Sequence, residues 1–331
     1  MTLFTNNPPS FTHKEAIQIM DRFYSQKGTI KDLYSDRDQN FLFISGHKKY
    51  LLKIFNSIEK RQVIDMQIAS MNHILNSDFP FKVPEPINNL KIINRNGDNY
   101  YVCLFKYMEG KFLFESKLKK NQYRNMGSLM GSLTKTLNNF DHPGGHRTFE
   151  WDLQNIDLLF DRVKHVKEKS GQKTIYHFFN NFNDKVSPLI GYLRKSIIHN
   201  DGNDHNIIMY ANGNIKGIID FGDMVYSYTV LEAAVCMAYI GQNNKNPLNN
   251  MESFLNGYQS IFPLRDEEIR CLMQMVCIRL CISVTMAAWR KTIFPSNSYL
   301  TISEKSSWAL LDYLKTKDLD NWATKLISNI K

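Results

Sequence analysis

Apolar positions in the first third of the chain alternate between two periods. Phe11-Thr12-His13-Lys14-Glu15 has the form of a capping box, Thr12 accepting from the Glu15 amide and Glu15 reaching back, so a helix is predicted to about Tyr24. From Asn40 to Ser45 apolar and polar residues alternate, Gly46-His47-Lys48-Lys49 can turn, and Tyr50 to Phe55 resumes as a strand. This is a hairpin with Lys53 inside its second strand. Val63, Met66, Ile68, Met71 and Ile74 then fall at helical spacing, predicting a helix over 57–75. Val83-Pro84-Glu85-Pro86 breaks regularity, and runs at 90–93 and 100–107 flank Asn96-Gly97, a strong hairpin-turn pair. From Met108-Glu109-Gly110 onward the period is helical, in segments at 122–138, 151–169, 176–194 and over most of 251–331. The pattern predicts an α+β chain: a small antiparallel β lobe with one inserted helix over 1–107, and a large helical lobe over 108–331.

Composition narrows this only slightly. With 331 residues, 43% of them hydrophobic and 22% charged, the chain can bury a sizeable core as one large domain or two lobes. The net charge of +9 suits anionic partners such as nucleotides but equally describes an ordinary solvated surface. Lys117, Lys119, Lys120 and Arg124 read as a solvated helix face, so no nucleic-acid partner is expected. Five cysteines without framework spacing read as reduced thiols, with Cys271, Cys277 and Cys281 in a core helix. The apolar stretch from Cys271 to Trp289 is interrupted by Gln274 and Arg279, which predicts a buried helix and no membrane span. The opening MTLFTNNPPS has neither a basic region nor an apolar core, so a cytoplasmic location is expected. Oligomeric state is left open.

Residues 196–223, SIIHNDGNDHNIIMYANGNIKGIIDFGD, concentrate the chemistry. His199-Asn200-Asp201 is followed by Asn206 at the Asp-to-Asn spacing of a kinase catalytic loop, and then by Asp220-Phe221-Gly222. The β-prone runs around Asn212-Gly213 predict a tight hairpin in which Asn206 and Asp220 are equidistant from Gly213 and face one another across roughly 5 Å. An amide oxygen and a carboxylate converging there suit a hard cation such as Mg2+, which keeps positions for phosphate and water. Asp201, just before the first of these strands, is placed to accept a proton from a substrate hydroxyl. His199 reads as a backbone-holding residue. Zinc is disfavoured for His199 with His205, and for His142 with His146, because no cysteine or third histidine lies at ligand spacing. Lys53 is a lone charge among apolar strand neighbours, for which phosphate oxygens would be partners. An acid on the following helix is expected to hold it, Asp65 in preference to Glu59.

With Lys53, Asp201, Asn206 and Asp220 assembled, the chain resembles the aminoglycoside phosphotransferase superfamily of kinase-like small-molecule kinases. The likeness is strongest to its hydroxylysine-phosphorylating branch. It rests on Asp38-Gln39-Asn40-Phe41, Tyr50 to Lys53, Asn203 to Asn206, Ile219 to Tyr226, Glu232 to Tyr239, Gly257-Tyr258, Phe262 to Leu264 and Asn297 to Leu300. The resemblance implies a bilobal protein-kinase-like fold and transfer of the γ-phosphate of GTP or ATP, with Mg2+, to a small amino alcohol, 5-hydroxylysine or a related hydroxy amino acid foremost. It makes Asp201 the base, Asn206 and Asp220 metal ligands, Lys53 the phosphate contact and 104–107, from Leu104 to Tyr107, the hinge beside the nucleotide base. Ser35 and Arg37 would help cover the phosphates. Three departures stand out: Asn200 replaces the usual glycine, Asp65 is shorter than the usual glutamate, and the loop from Ser35 to Gln39 is not glycine-rich. A cationic acceptor would meet Asp204, Asp223 or Glu232, with Glu109 and Asp152 as further acids. Each of these acids reads equally as a helix or turn cap. Aminoglycoside, homoserine and choline or ethanolamine kinases, and a nucleotide-binding pseudokinase, are the competing readings. A protein kinase is disfavoured because few residues separate Asp220 from a helix near Val230.

Overall fold

In the computed structural model, which describes residues 2–116, 118–297, 300 and 302–330, the chain divides into two units, Met1–Asn76 with Lys82–Glu109 and Ser77–Phe81 with Gly110–Lys331. Lys117 of the basic run, and Ser298 and Tyr299 of the 297–300 motif, lie outside the described residues.

In the first unit, helix α1 (His13–Tyr24) starts on the expected capping box: the Glu15 amide donates to Thr12 Oγ1 at 3.2 Å and the Thr12 amide to Glu15 Oε2 at 2.7 Å. Strands β1 (Thr29–Leu33), β2 (Gln39–Ser45) and β3 (Lys48–Ile54) are followed by α2 (Arg61–Leu75), β4 (Pro86–Arg95) and β5 (Asp98–Lys106). All pairings are antiparallel, in the order β1-β2-β3-β5-β4. Strand β1 has no counterpart in the sequence reading, because its TIKDL edge is mostly exposed and does not alternate. On one sheet face Phe41, Phe43, Leu52, Ile54, Val102 and Leu104 pack under Ala16, Ile19, Met20 and Tyr24 of α1. Each such side chain, fully buried, contributes about 1.5–3 kcal/mol, which makes this face the adhesive of the unit. Lys53, opposite Asn40 and Cys103, points to the other face.

The second unit runs β6 (Lys111–Phe112), α3 (Lys120–Leu137), α4 (Asp157–Val163), α5 (Lys169–Lys185), β7 (Lys195–Ile198), β8 (Ile207–Met209), β9 (Ile215–Ile218), β10 (Val225–Tyr228), α6 (Leu231–Ile240), α7 (Pro247–Gln259), α8 (Asp266–Ile293), α9 (Glu304–Lys315) and α10 (Leu319–Ile330). Here the expected helices at 151–169 and 176–194 are re-cut. Turns occupy 149–156, α4 is only 7 residues long, α5 spans the intended gap, and Pro188 opens a 3-10 turn at Ser187–Tyr192 that ends the helical run. Helices α3 and α7 touch backbone to backbone through Gly127 and Gly257. A Cβ on Gly127 would run into the Phe254 carbonyl and one on Gly257 into that of Arg124. Helix α8 is long and apolar enough to cross a membrane by length and composition, yet 94% of its most apolar 18-residue stretch is buried inside the unit.

Candidate active site

Strand β7, paired with β10, delivers the chain to a loop over 199–206 whose backbone is pinned from below. Glu232, in the first turn of α6, has no exposure, and its carboxylate accepts from the amides of His199 at 2.6 Å and Asn200 at 3.3 Å. The expectation that Glu232 meets a substrate cation is therefore corrected: the carboxylate is consumed by loop backbone. Asn200 has φ +64, in the left-handed region where glycine is free and asparagine is among the best-tolerated alternatives. This accounts for asparagine at a position where the resemblance leads one to expect glycine. The buried His199 ring accepts from the Asp201 amide at Nδ1 (3.3 Å), faces the Ile219 carbonyl through Nε2 (3.1 Å) and meets Phe221 edge-on. It ties the loop to the Asp-Phe-Gly segment.

These restraints present Asp201. Its Oδ1 accepts from Asn203 Nδ2 at 2.9 Å and from Arg279 at 3.4 Å, and its Oδ2 from Asn206 Nδ2 at 2.7 Å. Burial first, and then the charges of Asp223 and Asp220, push its pKa up to about 7, against the lowering effect of Arg279 and the Asn203 hydrogen bond. A carboxyl so placed is matched to proton transfer near neutrality. Arg279 comes from the middle of α8 and is almost fully buried. Its guanidinium lies 4.7 Å from the Trp151 ring centre and 5.9 Å from that of Tyr239, and donates to the Trp151 carbonyl at 3.0 Å. The sequence reading missed it as a site residue. The available signal was a single cation inside an apolar run, taken only as an argument against a membrane span.

The two residues expected to bind metal are positioned differently from the expectation. Ile207 pairs with Ile218, and the Ile219 amide donates to the Asn206 carbonyl at 2.9 Å, so Asn206 lies opposite Ile219 and not Asp220. The turn is longer on one side than equal spacing about Gly213 assumes: the Gly213 amide donates to Tyr210, the Tyr210 amide donates to Asn214, Gly213 has φ +83, and a bulge separates Ile208 from Met209. Asp220, one residue beyond the pairing, has φ +62 and accepts from the Gly222 amide at 3.3 Å. Arg147 holds the following turn by donating to the carbonyls of Gly222 and Met224, both at 2.8 Å. The Asn206 amide nitrogen is spent on Asp201 O and Oδ2, which orients the amide oxygen as the group for a ligand. One amide oxygen and one exposed carboxylate form a hard-oxygen donor set that fits Mg2+ when phosphate and water complete the shell. Among the described residues no group of three or more His, Cys, Asp or Glu is arranged to hold a metal unaided.

The other acids separate by surroundings. Asp223 acts on Asp201 through its charge, and Asp204, 44% exposed at its side chain, lies 3.1 Å from His205, whose ring stacks on Phe114 at 4.3 Å. Asp152 is buried and caps a turn, accepting from the Gln154 amide at 3.1 Å and from Ser227 at 2.5 Å. In the first unit Glu109 pairs with Lys49 at 3.1 Å.

Lys53 is buried, and its Nζ lies 2.9 Å from Asp38 Oδ2. Asp65 instead pairs with Arg61 at 3.3 Å, one helical turn away on a partly exposed face, so the expected hold of Asp65 on Lys53 is corrected. Glu59 accepts from the Lys60 amide at 3.0 Å. Leu104 belongs to the core under α1, on the sheet face opposite Lys53, and Tyr107 donates its amide to the Lys49 carbonyl at 3.1 Å. Tyr24, Tyr50, Leu104 and Tyr107 line a cleft of about 730 Å³ within this unit. Ser35 and Arg37 are half-buried in the loop between β1 and β2, the Arg37 guanidinium 5.3 Å from the Phe4 ring centre.

A two-unit α+β architecture carrying a loop with a largely buried carboxyl, an Asp-Phe-Gly turn and a buried strand lysine defines a kinase-like phosphotransferase. Residues 29–262 match the model of the APH family, described as a phosphotransferase enzyme family, and the chain belongs to it. It is an enzyme of small-molecule phosphoryl transfer. A hydroxylysine kinase of Mus musculus is 30% identical over 92% of this chain and 90% of its own length. Among solved structures, an aminopropanol kinase associated with a microcompartment matches with TM-score 0.70 at 16% identity, over 96% of this chain and 98% of its own. An amicoumacin kinase in complex with AMP-PNP and Ca2+ matches with TM-score 0.70 at 13% identity, over 92% and 94%.

Proposed function

We propose that this enzyme transfers the γ-phosphate of GTP or ATP to the hydroxyl of a small amino alcohol, 5-hydroxylysine or a related hydroxy amino acid. The observation that carries the reading is Asp201, a carboxylate held by Asn203, Asn206 and Arg279 and tuned to titrate near neutrality. In this mechanism the acceptor oxygen bonds to the γ-phosphorus as the bond from phosphorus to the β-phosphate oxygen breaks, and Asp201 takes the hydroxyl proton. Lys53 lies against the phosphate oxygens as a fixed positive charge. Asn206 and Asp220 would hold Mg2+, which when bound would supply positive charge against the phosphates. Asp223 and Asp204 supply negative charge for an ammonium group of the acceptor. The choice of acceptor is supported by the likeness to hydroxylysine kinase along nine-tenths of both chains and, for an amino alcohol generally, by the aminopropanol kinase of similar fold. Five free, buried cysteines are in keeping with a reducing, cytoplasmic setting.

Consumption of ATP and of GTP, measured against hydroxylysine, homoserine, choline, ethanolamine, aminopropanol and aminoglycosides, tests the proposal. Preferred turnover of hydroxylysine is expected. Turnover of an aminoglycoside with none of hydroxylysine overturns the acceptor, and nucleotide binding with no turnover of any alcohol makes the chain a pseudokinase.

A further inference from the structure

We propose that Asp38, on the loop between β1 and β2, is the positioning residue that holds Lys53 for the nucleotide phosphates. This inference rests on the kinase reading above and assigns to a loop the task the sequence gives to helix α2. Three observations carry it.

The first is the pair itself. Lys53 Nζ and Asp38 Oδ2 are 2.9 Å apart, with side-chain exposures of only 9% and 12%. Charges so far removed from water persist as ions only with close partners, so loss of the Asp38 carboxylate raises the cost of keeping the lysine buried and charged and loosens its aim. The second is that Asp38 is itself fixed. Its other oxygen accepts from the Asn56 amide at 3.0 Å, and the Asn56 side chain donates to the carbonyls of Arg37 at 3.1 Å and Asn7 at 3.2 Å while accepting from Asn6 at 2.7 Å. Next along the chain, Gln39 exchanges two hydrogen bonds with the Phe11 backbone, and Asn40 lies directly opposite Lys53 in the β2–β3 ladder. The carboxylate is thus anchored on both sides of the strand pair that carries the lysine. The third is the fate of the helix acid: Asp65 stands with Arg61 on a face where the two side chains are 40% and 65% exposed.

It follows that Lys53 and the loop from Ser35 to Asp38 form one preorganised element. Nucleotide phosphates meet a lysine already aimed from within the sheet, without α2 having to move in.

The test is affinity for the magnesium complexes of non-hydrolysable ATP and GTP analogues, measured by calorimetry on the full chain, which needs no acceptor. Asp38→Asn is expected to weaken binding at least tenfold and Asp65→Asn less than threefold. Asp38→Glu, which restores the charge on a longer arm, recovers part of the loss. In turnover the Asp38→Asn defect falls on nucleotide KM and kcat and leaves acceptor KM within twofold, a split that general loss of structure does not produce. If Asp38→Asn does not fold, Asp38→Glu carries the test with an expected loss of at least threefold. An equal or larger loss in Asp65→Asn, or undiminished affinity in Asp38→Asn (in Asp38→Glu where Asp38→Asn does not fold), overturns the inference. Wild-type protein that binds neither nucleotide removes the kinase reading and this inference with it, whereas wild-type binding that Asp38→Asn leaves intact removes this inference alone.

Discussion

The two units each hold one charged side chain in place, Lys53 in the first and Asp201 in the second, and they do so by different means. Around Asp201 the holding groups are layered: Asn203 and Asn206 come from its own loop, Glu232 supports the backbone from α6, and Arg279 reaches in from α8. Around Lys53 the acid sits on the loop that leads into the paired strand β2, and that loop is fixed by Asn56. The difference teaches that a loop with unusual backbone geometry needs support from distant helices, whereas a residue inside a sheet can draw its partner from the loop that leads into the neighbouring strand.

Substitutions can break this contrast or sharpen it, and the largest effect is expected at the base. Asp201→Asn should lower kcat by about 10²- to 10⁴-fold, the usual contribution of general-base catalysis, while nucleotide KM stays within threefold. Full turnover with both substrates saturating would remove Asp201 from its role. Next comes the support beneath it. Glu232→Ala leaves two buried amides without an acceptor, and denaturant titration should find the protein less stable by about 2–5 kcal/mol, with Glu232→Gln recovering part of the loss.

The pH dependence concerns the tuning of the base. Because Asp201 must be ionised to accept a proton and its pKa is raised to about 7, kcat/KM should rise with pH through about 7 and then level. Arg279 favours the ionised form, so Arg279→Met should move this limb to higher pH; an unmoved limb would show that Arg279 only packs. The smallest effect belongs to the backbone. Asn200→Gly should change stability by less than about 1 kcal/mol, whereas Asn200→Val, forced into a left-handed conformation, should cost about 1–3 kcal/mol by thermal unfolding.

Much of this was legible along the chain because it is local. The Thr12 and Glu15 cap, the Lys53 hairpin, and the order of Asp201, Asn206 and Asp220 each lie within one short continuous stretch of chain. What escaped is set by tertiary structure. Strand β1 exists because β2 offers it a partner. The register that places Ile219 opposite Asn206 follows from a bulge that no pattern of apolar residues encodes. The exposed position of Asp65 depends on how α2 is rotated against the sheet, and a period of 3.6 leaves flanking positions on the helix ambiguous. Glu232 looked like a substrate ligand because its acidity is visible in sequence, while the amides it serves are not.

Helix α8 spans 28 residues, most of them buried in the second unit, and from its middle sets Arg279 beside Asp201. The helix therefore serves two ends at once, packing and charge placement. On the proposed role of Asp201, a substitution that repacks this helix would also shift the charge beside that carboxylate, so that packing along α8 and the tuning of the base would change together.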